Sequence, residues 1–125
     1  MTNKRSGNIS VPRNILVQPE EYVVATVLSW TGQDVRFISP GIIPRPDIKF
    51  RGKEWEIKTP SGKSSRTIEN NIRVALKQSR NIVINLQRMS IDERKCITEI
   101  KRQNSLIKQK HQFIIITKNL KIIEL

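Results

Sequence analysis

The stretch Pro46-Asp47-Ile48-Lys49-Phe50-Arg51-Gly52-Lys53-Glu54-Trp55-Glu56-Ile57-Lys58 decides the fold. Its centre, Arg51-Gly52, is typical of a two-residue connection between two short strands that alternate apolar and charged side chains. In that register Asp47 faces Glu56. Because side chains alternate along a strand, Asp47, Glu56 and Lys58 share one face of the hairpin, and Trp55 lies on the other.

Two carboxylates therefore oppose each other on neighbouring strands. Directly opposed residues have Cβ atoms about 4.5–5.5 Å apart, and like charges are unfavourable there. A hard divalent cation would reconcile Asp47 with Glu56, with Mg²⁺ the best candidate and Mn²⁺ or Zn²⁺ as alternatives. Such an ion activates water and holds phosphate oxygens, while Lys58 would position the nucleophile. The alternative interpretation is a solvated ribbon without chemistry.

The composition bounds the remaining possibilities. A chain of 125 residues is one domain by length, and its formal charge of +12 predicts a polyanionic partner. Nucleic acid is the first candidate, ahead of an acidic protein or an anionic membrane surface. No apolar run is long enough for a membrane span and no signal peptide is recognisable, so we expect action in a cytoplasm.

Two single residues exclude several chemistries. Cys96 is the sole cysteine and His111 the sole histidine. A disulfide framework, a zinc cluster, a histidine-pair ribonuclease and a histidine-rich metal nuclease are therefore excluded. We interpret His111, which lies in a basic and polar stretch, as a solvated surface residue.

The remaining pattern predicts an α/β (α+β) fold with a mixed sheet and a single domain over residues 18–125. Residues 1–17 are expected to form an irregular arm. The predicted elements are a helix from Pro19 to about Trp30, a strand over 34–38, the hairpin, a basic-faced helix over 67–80, a strand over 81–86, a second basic helix over 91–110 and a strand pair over 113–123. A capping box of Ser90 and Glu93 would start the second basic helix. The strand over 81–86 would pair in parallel with the Glu56 strand.

Two polar features flank the hairpin. Glu20 and Glu21 stand in the first turn of the first helix, where acids are favourable without any function; Glu21 lies nearer the buried face. The loop from Pro60 to Thr67 offers hydroxyls and amides before a helix, with Lys63 and Arg66 beside them, and suits a phosphate. It is not a Walker loop, because the upstream glycine is missing.

The order helix, three strands, helix, strand, with Pro-Asp and Glu-x-Lys on the second and third strands, is similar to the restriction-endonuclease-like core of the PD-(D/E)XK nuclease superfamily. The chain also resembles the C-terminal toxin domains of contact-dependent growth inhibition proteins, many of which cleave tRNA. The resemblance covers roughly residues 20 to 125 and is carried by Trp55-Glu56-Ile57-Lys58-Thr59-Pro60, Gly62-Lys63-Ser64-Ser65-Arg66-Thr67-Ile68 and Ala75-Leu76-Lys77-Gln78-Ser79-Arg80-Asn81-Ile82-Val83-Ile84.

The resemblance implies a metal-dependent phosphodiesterase. Asp47 and Glu56 would hold the metal, Lys58 would activate or orient the nucleophile, and Glu21, or else Glu20, would complete the site. The expected substrate contacts are Lys63, Ser65, Arg66, Thr67, Arg73, Lys77 and Gln78. In one departure, Asn85 stands after Ile84 where such toxins are expected to carry an acid.

The resulting hypothesis is a metal-dependent RNA nuclease, with tRNA the preferred substrate, delivered as the end of a secreted toxin and neutralised by an acidic immunity protein. Three alternatives stay open: a DNA-cleaving nuclease of the same superfamily, a metal-free ribonuclease of the barnase/EndoU/colicin/RelE type, and a non-catalytic basic nucleic-acid-binding module. RNA is preferred over DNA through the resemblance alone.

Overall fold

A computed structural model describes residues 5–125; residues 1–4 of the predicted arm lie outside the described residues. Its elements in chain order are β1 (Ile9–Ser10), α1 (Pro19–Ser29), β2 (Val35–Phe37), β3 (Ile48–Phe50), β4 (Lys53–Lys58), α2 (Ser65–Ala75), β5 (Asn81–Asn85), α3 (Glu93–Leu106), β6 (Gln112–Ile116) and β7 (Ile122–Glu124).

The strands form a mixed seven-stranded sheet in the order β1 to β7. The β1–β2, β4–β5 and β5–β6 pairs are parallel, whereas β2–β3, β3–β4 and β6–β7 are antiparallel. The predicted mixed sheet, the parallel pairing of β4 with β5 and the C-terminal strand pair are therefore confirmed.

The central hairpin has the predicted register. Ile48 pairs with Trp55 and Phe50 with Lys53. Arg51 and Gly52 both adopt positive φ angles, 55° and 72°, which matches the twist of a two-residue hairpin turn. The turn fixes the register, and the register sets which side chains reach each face of the sheet.

α1 covers one face of the sheet. Its buried side chains, among them Val24 and Leu28, pack against inward residues of β2, β3 and β4. Trp55 lies at the centre of this layer, fully buried, and its indole N–H donates to the Phe50 carbonyl over 2.8 Å. Pairing of the indole N–H allows so large a side chain to be buried without an unsatisfied donor.

α2 and α3 cover the other face, but only over part of the sheet. Ile68, Ile72 and Ile100 pack against Ile82 and Phe113, which belong to β5 and β6. On β2 and β3 the same side of the sheet carries exposed side chains instead. Glu56 and Lys58 pair with Ile82 and Ile84 in the β4–β5 register, so they lie where the helical cover ends.

Three local predictions are wrong. The arm over 1–17 is not wholly irregular, because Ile9–Ser10 pairs with β2 while the Asn8 N–H donates to the Asp34 carboxylate over 2.8 Å. α2 spans Ser65–Ala75 instead of 67–80, because the Ser64 hydroxyl accepts from the Arg66 N–H and caps the helix earlier. Leu76 caps the C-terminus of α2, and the backbone leaves the helix after it.

The capping box of α3 is the third. Asp92 caps this helix by accepting from the Arg94 N–H, and the helix runs from Glu93 to Leu106, shorter than the predicted 91–110. The Ser90 N–H donates to the Gly62 carbonyl, and the Glu93 carboxylate accepts from the Lys118 N–H, so both members of the predicted box have tertiary partners. None of the helices within residues 5–125 is long and apolar enough to cross a membrane.

Candidate active site

The hairpin brings the carboxyl groups of Asp47 and Glu56 together, and a hydrogen bond joins them. Just before β3 begins, the Asp47 N–H donates to the Trp55 carbonyl over 3.0 Å, one position out of the register of the strands. The Asp47 carboxylate accepts from the Ile57 N–H over 2.7 Å. This bond holds the side chain of Asp47 against β4 beside Glu56.

The two carboxyl groups interact strongly. Burial, followed by the negative charge of Asp47, raises the pKa of Glu56 from 4.5 to about 7, while Lys58 acts in the opposite direction. Burial also raises the pKa of Asp47, against the lowering effects of the Ile57 N–H, of a hydrogen bond with the Glu56 carboxyl and of Lys58. At neutral pH the pair therefore carries more negative charge than its surroundings stabilise.

Lys58 lies at the same point of the sheet. Its ammonium Nζ is 3.6 Å from Glu56 Oε2, and its side chain keeps 25% of its exposure, against 10% for Glu56. Lys58 lowers the pKa of Asp47, of Glu56 and of Glu21. It is thus a partly exposed cation next to a buried anionic pair, and it can reach a ligand placed over that pair.

The first turn of α1 supplies Glu21. Burial, and next the charge of Asp47, raises the pKa of Glu21, which places the carboxyl group within the field of the pair. Glu20 differs, because its carboxylate lies 3.4 Å from the Arg88 guanidinium. Glu21 therefore interacts electrostatically with Asp47 and Lys58, whereas Glu20 forms an ion pair with Arg88.

The carboxyl pair fits a hard divalent cation that keeps part of its hydration shell. Within residues 5–125 no three side chains among His, Cys, Asp and Glu are arranged to hold a metal ion. Mg²⁺ needs fewer, since it is usually bound through one or two carboxylates together with waters and substrate phosphates. Asp47 and Glu56 would supply two such carboxylates, and a bound cation would neutralise the negative charges that repel each other.

The raised pKa values predict how stability depends on pH. A proton bound by Glu56 in the folded state stabilises the metal-free protein fully below its ordinary pKa of 4.5, and this contribution is lost as pH rises through about 7. Thermal unfolding in chelator should therefore show a midpoint that falls between about pH 5 and pH 8. The Asp47→Asn variant, which lacks the repelling charge, should show a smaller decline; an equal decline in both proteins would contradict this assignment.

The predicted phosphate loop lies at the start of α2. Lys63 and Ser65 line a cleft of about 460 Å³ between α2 and α3, opposite Arg94 and Lys95. The Ser90 N–H donates to the Gly62 carbonyl over 2.8 Å and ties this loop to the segment before α3. In the sequence, this loop follows directly after β4, the strand that carries Glu56 and Lys58.

The other predicted substrate contacts are distributed along α2. Arg66 is exposed in the first turn, and Thr67 lies half-buried against Gly62. Arg73 is 3.5 Å from Glu69 in an ion pair one helical turn away. Lys77 and Gln78 follow the end of the helix, Lys77 exposed and Gln78 half-buried. The structure thus groups the loop residues Lys63 and Ser65 in one cleft, but it does not gather the full set.

Asn85 is buried at the end of β5, where its Oδ1 accepts from the Gln87 N–H over 3.1 Å. Its Nδ2, like the Thr59 hydroxyl at the end of β4, is buried without a hydrogen-bond partner in the part of the chain that the structure describes. Asn85 pairs with Ile116, so its side chain shares the α1 face and not the face of Glu56. His111 is half-buried, with ring nitrogens 2.7 Å and 2.6 Å from the oxygens of Gln109 and Asn104.

The sequence analysis did not single out the charged residues on the open face of β2 and β3. Arg36 and Lys49 are exposed between buried neighbours, an alternation that the sequence itself shows. The position of Arg45 was not predictable, since its guanidinium reaches Glu54 at 3.2 Å from a loop.

Comparison with known proteins identifies the family of this chain. Residues 44–122 match the family described as the contact-dependent growth inhibition CdiA C-terminal domain. The fold is similar to that of a solved structure, the CdiA-CT/CdiI toxin and immunity complex from Burkholderia pseudomallei, with a TM-score of 0.73 and 23% identity over 95% of this chain and 98% of the other. No curated protein matches. Since the family match covers well over half of the chain, the protein belongs to the CdiA C-terminal domain family and is a contact-dependent growth inhibition toxin domain.

Proposed function

We propose that this toxin domain is a metal-dependent endonuclease with a PD-(D/E)XK arrangement and that it cleaves RNA, with tRNA as the preferred substrate. The observation that carries the proposal is the convergence of Asp47 and Glu56, which have raised pKa values and a lysine ammonium 3.6 Å from one of them. Perturbed carboxyl groups of this kind concentrate at functional sites.

Each residue has a role that its position supports. Asp47 and Glu56 would hold the divalent cation, which supplies a water of lowered pKa and neutralises charge on a phosphate. Lys58 is the partly exposed cation that stabilises negative charge developing on the phosphate and orients the attacking oxygen. Glu21 adds a third carboxyl group whose raised pKa suits it to exchange protons with a water in the site.

Charge supports nucleic acid as the substrate. The formal charge of +12 favours a polyanion. Lys63 and Arg66 also follow the strand of Glu56 and Lys58 closely in the sequence. Few aromatic side chains are available for stacking on bases: Trp55 is fully buried in the core, and the large exposed aromatic residues are Tyr22 and Trp30. Recognition would then rest on phosphates and shape, and the preference for RNA rests on the resemblance to tRNA-cleaving toxins.

The proposal extends to delivery and inhibition. A toxin domain of this family would be carried as the C-terminal part of a secreted protein and would act on RNA in the cytoplasm of the target bacterium. The similar solved structure is a complex of a toxin with its immunity protein. An immunity protein with an acidic surface would complement a domain of this charge and would also protect the producing cell.

Incubation with total tRNA and with plasmid DNA tests the proposal. The purified chain should cleave tRNA with Mg²⁺ or Mn²⁺, and should lose activity in excess chelator, because the cation that Asp47 and Glu56 would hold supplies the activated water and neutralises the phosphate. Measuring product formation on denaturing gels, with Zn²⁺ as a further arm, identifies the metal.

Two results would contradict the proposal in different ways. Cleavage that persists in chelator would point to a metal-free ribonuclease. Cleavage of plasmid DNA with intact tRNA would keep the metal chemistry and replace the substrate. A protein that binds both nucleic acids and cleaves neither would be a binding module.

A further inference from the structure

A row of cations lies on the open face of β2 and β3. Arg36 and Lys49 are direct cross-strand partners, and both are exposed. Lys49 pairs with Glu54, which lies two residues from Glu56 on the same face of β4, so Lys49 and Glu56 share a face of the sheet. The row therefore starts beside the carboxyl pair, on the side of β4 that α2 and α3 leave uncovered.

The charges of this row are not balanced within the chain. Like charges directly opposed across strands are unfavourable, and Arg36 and Lys49 form no ion pair among residues 5–125. Glu54 faces Lys49 from β4, but its carboxylate lies 3.2 Å from the Arg45 guanidinium. Asp34 lines the same cleft, and Arg51 there is paired with Glu124, so three cations face two carboxylates and a net charge of about +1 remains for an anionic ligand to neutralise.

The surface around the row is concave. Arg36 and Lys49 line two adjoining clefts of about 370 Å³ and 290 Å³. One cleft extends towards the hairpin turn at Gly52, and the other towards Ser39 and Arg45. Arg36 and Lys49 border both clefts, so both cations are accessible to a ligand in either one.

We propose that Arg36, Arg45 and Lys49 form a phosphate-binding track that holds the sugar-phosphate backbone of the nucleic acid next to the bond to be cleaved. This inference rests on the proposed function and extends it to residues on the opposite flank from α2. Contacts of cations with phosphates fix position without reading sequence, so the track sets where the strand lies and not which bases it carries.

Binding by a non-cleaving variant tests the track separately from catalysis. The Asp47→Asn protein is titrated into a fluorescein-labelled RNA hairpin at rising KCl, with anisotropy as the readout. Adding Arg36→Gln and Lys49→Gln together should weaken binding about tenfold at low salt and make the slope of log K against log[KCl] shallower by about 1.5, because two phosphate contacts are lost.

A charge-matched control removes two exposed lysines that line neither cleft, Lys108→Gln and Lys121→Gln. It should weaken binding less than about twofold and leave the slope unchanged. In the protein with Asp47 intact, the track variants should raise the KM for RNA while kcat stays close to its original value, since Arg36 and Lys49 do not reach the reacting bond. The melting temperature, measured on the same samples, should not fall, because a like-charged pair has been removed.

The track would be overturned if the double variant lost no more RNA affinity than the control. If it kept its RNA affinity but lost binding to poly-L-glutamate, the surface would be assigned to an acidic protein instead. Each result leaves chelator-sensitive cleavage by the unmodified chain intact, so failure of the track is distinct from failure of the proposed function.

Discussion

Asp47→Asn should reduce metal-dependent cleavage of tRNA by at least about 100-fold, since it removes one of the two carboxylates available to the cation. Initial rates at saturating Mg²⁺ measure this loss. Calorimetric titration of Mn²⁺ into the same variant should show weakened metal binding as well, which ties the lost activity to the lost ligand. Raised Mn²⁺ should restore only a small part of the rate.

The same substitution should leave the fold intact. An asparagine amide oxygen can accept from the Ile57 N–H as the Asp47 carboxylate does over 2.7 Å, and its amide N–H can donate to Glu56. Removal of one of two negative charges that repel each other should raise the free energy of unfolding by about 0.5–1 kcal/mol at neutral pH without metal. Chemical denaturation in chelator checks this value.

Glu54→Gln is the matched control, because Glu54 lies two residues from Glu56 on the same face of β4 and is 3.2 Å from Arg45 at the surface. It should keep cleavage within about threefold of the original, as expected for a surface ion pair. If both variants lost activity equally, or if Asp47→Asn remained active, the carboxyl pair would not be the catalytic centre.

The parts of the site that sequence predicts are those that one hairpin determines. Arg51-Gly52 fixes the turn, the turn fixes the register of β3 with β4, and Asp47, next to Ile48, then meets the Ile57 N–H and the Glu56 carboxyl group. Each step depends on residues close in sequence. The alternation in β4 likewise separates the fully buried Trp55 from the charged residues of the other face.

Contacts between distant segments determine the features that the sequence did not predict. Glu20 and Glu21 are adjacent and alike in chemistry, and the helical pattern only favours Glu21; the structure separates them, because Glu20 pairs with Arg88 while the charge of Asp47 acts on Glu21. The start of α3 shows the same limit: Ser90 and Glu93 match a capping box locally, but Gly62 and Lys118 take up their hydrogen bonds. A local pattern cannot reveal that a group already has a partner elsewhere in the fold.

Short strands mark a further limit. β1 is two residues long, and its pairing accompanies the bond from the Asn8 N–H to Asp34. No hydrophobic periodicity can appear over so few positions. The sequence does not predict the cationic row for a related reason. The row depends on the pairing of β2 with β3, whose register places Arg36 opposite Lys49.

Lys58→Met should reduce the rate of cleavage by about 100- to 1,000-fold while metal binding persists. This combination separates the role of Lys58 from that of Asp47. Lys58 Nζ is 3.6 Å from Glu56 Oε2, and the ammonium lowers the pKa of all three carboxyl groups of the site. Its removal takes away the cation that would stabilise the reacting phosphate, but it leaves both carboxylates. Single-turnover cleavage and Mn²⁺ titration measure the two effects.

The substitution should also change the pH profile. Without Lys58 the pKa values of Glu21, Asp47 and Glu56 rise, so Mn²⁺ binding should require a higher pH, because Glu56 must lose its proton to bind the ion. Lys58→Arg keeps the charge and should retain more activity than Lys58→Met if the role is electrostatic. Lys53→Met, at the other end of β4 where the ammonium donates to Gln112 over 2.8 Å, is the control and should cleave normally. Full activity in Lys58→Met would show that the phosphate is stabilised by other groups, and equal loss in Lys58→Arg and Lys58→Met would favour proton transfer over charge as the function of this lysine.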